Sequence, residues 1–224
     1  MGVRLCQAAA RSVFSCYGPV VAAVIALALA SAEIAPWIPT VALWLSKPWL
    51  DRTILFVLSR AAFGQPTTAR DLWEAQRQVW WSQLLQTWTV RRLSPWRSFT
   101  QPVYQLEGLK GAQLRKRVIQ IRSGSTAAGA GVTSVFNFAE GVILVALLSL
   151  FFWLAPKSYG ATLTDAMYGS IPGYVNFAAS AAYAAAIVFI EPFFVAAGFA
   201  MYLNRRVELE AWDIEQEFRR AFAR

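Results

Sequence analysis

Four long apolar stretches, separated by polar and basic ones, dominate the pattern of this chain. Residues 12–32 are uncharged, with an unbroken apolar core from Val20 to Leu29. Wound as a helix, a stretch of that length matches the roughly 30 Å hydrocarbon core of a bilayer. Residues 34–49 are apolar apart from Lys47 and carry Trp37, Trp44 and Trp49. They predict a short second span of about 24 Å, with Pro36 and Pro39 suited to its first turn. The pair reads as a tight helical hairpin with Glu33 at its outer tip and Lys47 and Trp49 anchoring the opposite end at a membrane surface; a re-entrant or surface segment is the alternative for 34–49. Residues 125–154 are the clearest span, continuously apolar from Val142 except for one serine and stopped by Pro156. Residues 174–203 form the last, uncharged except for Glu191 and closed by Asn204, Arg205 and Arg206.

Between the second and third spans the pattern changes. The apolar run Ile54–Leu58 is soon interrupted by Arg60 and is expected at the membrane surface. After Gly64-Gln65-Pro66, Thr67 or Thr68 is placed to cap a new helix, with Asp71 in its favourable first turn. Trp73, Trp80, Leu84 and Trp88 recur at spacings of seven, four and four, which marks the apolar face of an amphipathic helix lying in the interface. Arg91 and Arg92 follow it, Pro95 and Pro102 break the chain, and positive charge becomes dense again around Arg115, Lys116 and Arg117. Trp73, Trp80 and Trp88, with these five basic residues, are the candidates for contact with lipid. Residues 157–173 are polar with a single lysine, as on an outer surface. Residues 207–224 predict a last surface helix, with Val207, Ala211, Ile214, Phe218 and Phe222 on one face and acids preceding arginines as the helix dipole favours.

Composition sharpens this picture. Of 224 residues 57% are hydrophobic and 15% charged, against about 45–50% and 25% in soluble domains. The expected fold is one all-α integral membrane bundle of about four transmembrane helices with added amphipathic helices. Residues 47–122 hold thirteen of the 21 basic and four of the 13 acidic residues, so this segment exceeds the net charge of +8 of the whole chain. Between spans, such charge places the loop in the cytoplasm against anionic headgroups rather than on nucleic acid, with both termini inside. Arg4 and Arg11 followed by an apolar run and Ala30-Ser31-Ala32 also fit a cleaved leader. Cys6 and Cys16 have no metal-binding spacing and read as small apolar residues.

Little chemistry is encoded openly. There is no histidine, and no nucleotide-binding or hydrolase motif is present; neither a cofactor nor a metal is expected, and an enzyme is the less favoured class. The sharpest features are two carboxylates in the apolar spans. Glu140 ends a polar and small stripe of Thr126, Ala130, Thr133 and Asn137 on one helix face, and Asn176, Ser180, Ala184 and Glu191 approximate another. A charge in a bilayer costs roughly 2.5–3.5 kcal/mol on insertion scales and normally turns toward the bundle interior. Asn137, Glu140, Asn176 and Glu191 are therefore the candidate intramembrane site, open to two readings: handling of a proton, cation or substrate, or hydrogen bonding between helices. Counting from Arg122 and from Arg205 puts the two glutamates at comparable depth, where one of two adjacent carboxylates is expected to keep a proton.

Three segments taken together, residues 44–64, 91–111 and 189–220, resemble a group of proteobacterial multi-pass inner-membrane proteins of unknown function, often encoded near MoxR-type AAA ATPases. The resemblance covers most of the chain from Trp44 onward. It implies a bacterial inner-membrane location and association with other membrane proteins, and it assigns no catalytic residue. The functional expectation is a non-enzymatic membrane subunit or scaffold. The alternative is a small transporter or ion-coupled component using Glu140 and Glu191.

Overall fold

The computed structural model describes residues 2–81, 92–154 and 173–222, with side chains as far as 211. Leu84, Trp88, Arg91, residues 157–172 of the expected outer loop and, on the expected last helix, Ile214, Phe218 and Phe222 lie outside the described side chains. Every described element is helical. In chain order these are α1 (Gly2–Ala8), α2 (Ala10–Ala30), α3 (Ile38–Ala61), α4 (Ala69–Glu74), α5 (Arg97–Leu106), α6 (Gly111–Arg122), α7 (Thr126–Leu154) and α8 (Gly173–Phe222), with a 3-10 turn at Ser31–Glu33 and a π-helical turn at Arg77–Trp81.

Among the described residues, three helices are long and apolar enough to cross a membrane: Ala10–Glu33, Thr126–Leu154 and Gly173–Ala211. The expected short second span is not among them. Its helix forms, but it runs on through Pro48 and Trp49 to Ala61 and carries Lys47, Asp51, Arg52 and Arg60. Ile54–Leu58, expected at a membrane surface, belongs instead to the core: Leu50, Ile54, Leu55, Val57 and Leu58 are fully buried. Arg60 had suggested a surface position; it lies half-buried over the Phe56 ring, 5.7 Å from guanidinium carbon to ring centroid.

The first two long helices make the expected hairpin. From the first half of α2, the Cys16 thiol donates to the Thr67 carbonyl at 3.5 Å, and the Tyr17 hydroxyl donates to the Ile187 carbonyl at 3.3 Å. Helix α8 is the hub, packing on α1, α2, α3, α5, α6 and α7. It does not break at Asn204 as expected. Asn204 and Arg205 both bond Glu208 one turn ahead, so these polar side chains find a partner within a continuing helix. Helix α5 is drawn tightly onto α8, because Gly198 has no side chain: a Cβ there would overlap the Ser98 backbone. On α7, Gly129 serves the same purpose, lying where a Cβ would come within 3.1 Å of Phe99 and 3.2 Å of Trp96.

The basic segment is not a single surface loop. Thr68 caps α4 in a reciprocal box with Asp71: the Asp71 amide donates to Thr68 Oγ1 at 3.3 Å, and the Thr68 amide donates to Asp71 Oδ2 at 2.9 Å. Helix α4 then ends at Glu74 and a π-turn follows at Arg77–Trp81; the rest of the expected amphipathic face, with Leu84 and Trp88, lies outside the described residues. Trp73 is exposed, but Trp80 turns inward and donates from Nε1 to Thr53 Oγ1 at 3.0 Å. Trp96 joins α5 to α7 through the Thr126 carbonyl, 2.8 Å from its Nε1, and stacks on the Arg122 guanidinium. Near the other end of α5, Glu107 accepts from Arg117 Nε at 3.0 Å and from the Tyr202 hydroxyl at 2.8 Å.

Candidate functional site: a buried charge cluster and its cavity

Glu140 on α7 and Glu191 on α8 converge on one ammonium group. Lys47 Nζ donates to both Glu140 oxygens, at 2.8 and 2.7 Å, and lies 3.1 Å from Glu191 Oε2. The other Glu191 oxygen, Oε1, accepts from Arg97 Nη2 at 3.2 Å, and Arg97 Nε lies 3.5 Å from Asp51 Oδ2. The result is an alternating chain of Glu140, Lys47, Glu191, Arg97 and Asp51, drawn from α3, α5, α7 and α8. Glu191 and Asp51 are each 1% exposed and Lys47 is 5% exposed.

Local structure explains the convergence. Lys47 and Asp51 are four apart on α3 and so share a helix face. Ser98 meets α8 at Gly198, which holds the start of α5 against that helix. Glu191 sits two turns back along α8, about 10 Å away, within reach of the long Arg97 side chain. Phe194 supports that side chain, with its ring centroid 4.9 Å from the guanidinium carbon.

The structure thus unites two of the four intramembrane candidates in one ion-pair chain. Lys47 Nζ lies between the two carboxylates, so Glu140 and Glu191 are not the directly adjacent pair expected to share a proton. Asn137 lies beside the chain on the wall of a cavity of about 550 Å³. Asn176 lies apart: it is 15 residues before Glu191, about 22 Å along the helix, and its carbonyl accepts from Ser180, which also pairs with Thr40.

Lys47, Asp51 and Arg97 escaped the sequence reading. The four-residue spacing of Lys47 and Asp51 in an otherwise apolar run was the available signal; it was masked by reading Lys47 as an anchor at the membrane surface. Arg97 carried no local signal, since only the α5–α8 approach brings it to Glu191. Of the lipid-contact candidates, Arg115 and Lys116 are exposed, and Arg117 is paired with Glu107. Arg92 is no surface residue, being 8% exposed. It stacks on Trp44, guanidinium carbon 3.5 Å from the ring centroid, and its Nη2 donates to the Trp44 carbonyl. Pro48 has no amide hydrogen, which releases that carbonyl from its usual helical bond; Arg92 takes the place of the missing donor.

Buried charge pairs of this kind hold helices in one arrangement, because removing either partner strands the other. Among the described residues no group of three His, Cys, Asp or Glu is placed to hold a metal ion. No protein-family profile, curated protein or solved structure matches the chain.

Proposed function

We propose that this chain is a multi-pass bacterial inner-membrane protein acting as a non-enzymatic subunit or scaffold for other membrane proteins, with the buried charge chain as the clasp that fixes its helices. The observation that carries the clasp is the pairing itself: Lys47 and Arg97 of the same chain occupy the carboxylates a carrier would need free. Three membrane-length helices support the location. So does α7, none of whose most apolar window is buried; Val135, Phe138, Val142, Val145, Trp153 and Leu154 stand exposed along it. That much apolar surface is stable against lipid or partner helices, not against water. In this reading α3 is a fourth embedded helix with Lys47 and Asp51 paired inward, both termini are cytoplasmic, and residues 157–173 are periplasmic. The resemblance to proteins encoded beside MoxR-type ATPases gives the partner class. Affinity purification from native membranes tests the scaffold: a stoichiometric membrane-protein complex is expected, and recovery of the chain alone under mild detergent contradicts it.

A second reading, a small transporter, draws support from one observation: the cavity reaches Glu140 and Lys47. Glutamate-dependent flux by the purified chain in proteoliposomes would favour it over the scaffold.

A further inference from the structure

Helix α7 carries polar side chains that the fold leaves over. Ser134 and Asn137 are exposed and edge the mouth of the cavity beside the charge chain. Thr126, Thr133 and Ser149 on the same helix return their hydroxyls to carbonyls one turn back. Asn137 and Ser134 have no hydrogen bond of any kind among the described residues. Asn137 stands 11 residues from Thr126 and 17 from Leu154, about 16 and 26 Å along a helix of membrane length. At that depth a bilayer offers no water, and a carboxamide without a partner is costly. The side of α7 that carries it is open to another backbone. Ser134, Asn137 and Gly141 follow at spacings of three and four, which keeps them on one side of the helix. A Cβ on Gly141 would meet nothing within 4 Å. Phe138 and Val145 continue the face and are also exposed.

We infer that this face of α7 packs against the same face of a second copy of the chain, in a two-fold dimer held by Asn137 facing its own counterpart. Depth selects the occupant. Two copies inserted with the same orientation are related by an axis along the membrane normal, so equivalent residues stand at one level. A carboxamide offers N–H donors and a carbonyl acceptor, so the facing pair exchanges two hydrogen bonds. Such bonds, with close approach at small residues, are what hold membrane helices together. The second α7 lies across the cavity mouth and closes Glu140 and Lys47 off from lipid. The inference rests on the membrane location in the proposal above and is independent of the scaffold role; failure of the pull-down would leave it intact.

The test uses the full chain in phosphatidylcholine liposomes, with copies labelled at the C-terminus by a donor or an acceptor fluorophore. Alkaline carbonate washing first checks insertion; release would remove the membrane location and this inference together. For the inserted parent, energy transfer should follow a monomer–dimer curve as the chain is diluted with lipid. Asn137→Leu and Gly141→Leu should each weaken the dimer about tenfold, and Asn137→Gln, which keeps the amide, should weaken it less. In an otherwise parental chain, Ser134→Cys should form a disulfide between copies under an added oxidant, and Leu150→Cys, on the opposite side of α7, should not. If Asn137→Leu fails to insert, the two cysteine variants decide. A parent that stays monomeric at every dilution overturns the inference alone. So does a dimer that Asn137→Leu leaves at parental strength, or cross-linking through Leu150→Cys in place of Ser134→Cys.

Discussion

At the scale of single residues, Lys47 is the member whose loss should cost most. It is the one described cation on Glu140 and one of two on Glu191. Lys47→Met therefore leaves the partly buried Glu140 without a cation and the fully buried Glu191 with Arg97 alone, and a loss of up to about 3–5 kcal/mol is expected. Glu140→Gln should cost clearly less, because Lys47 keeps Glu191 and glutamine keeps a hydrogen-bonding side chain of the same size. Denaturant unfolding in micelles measures both, and equal losses would argue against Lys47 as the shared link. Asp71 supplies a pH dependence at the other end of the burial range. The Thr68 amide, and then its hydroxyl, hold the Asp71 carboxyl below its ordinary value. A group depressed on folding stabilises above its unfolded value, near pH 4, and that stabilisation is lost as pH falls through the folded value. Hydrogen-exchange protection of the first turn of α4, corrected for intrinsic rate, should fade in that acid range and should be insensitive to pH there in Asp71→Asn.

At the scale of elements, close approach between helices depends on which glycine is at issue. Alanine normally stabilises a helix interior relative to glycine by about 1 kcal/mol. Gly198→Ala should reverse that sign and cost about 1–3 kcal/mol, because the added methyl meets the α5 backbone and forces the two helices apart. Gly131→Ala, where nothing lies within 4 Å of the new Cβ, should be neutral or stabilising. Thermal unfolding of the two variants side by side checks the contrast. Gly129 and Gly131 lie two residues apart and so on opposite sides of α7, and of the two only Gly129 meets α5. Which glycine faces a neighbour depends on where a non-adjacent helix lies.

At the scale of the whole molecule, the topology in the proposal is open to direct test. An alkaline phosphatase fusion at Gln101 should be inactive and one at Lys157 active, given both termini inside; the opposite pattern would overturn the proposed orientation. The basic segment shows why such fusions are needed. Its Lys47, Arg92 and Arg97 are bound up in the protein interior and its cavity, so the charge that faces a membrane surface is smaller than a count along the chain suggests. Among the described residues, the exposed part is spread over Arg70, Arg77, Lys110, Arg115 and Lys116.

Much of the architecture was legible in the order of residues. Uninterrupted apolar runs of membrane length predict α2, α7 and the first part of α8, because backbone hydrogen bonds within one helix and apolar side chains around it are local properties of the sequence. The cap at Thr68 and the burden of placing Glu140 and Glu191 among apolar residues were local in the same sense. Other features depended on contacts between distant segments. Helix α3 continues past Trp49 because its charged face finds Glu140, Glu191 and Arg97, 93, 144 and 50 residues away from Lys47 in the chain. The two glutamates meet a lysine rather than one another, and Arg92 lies buried beside a cavity rather than at a lipid surface. A charge along a sequence carries its cost with it, whereas the partner that offsets the cost is chosen only when the helices pack.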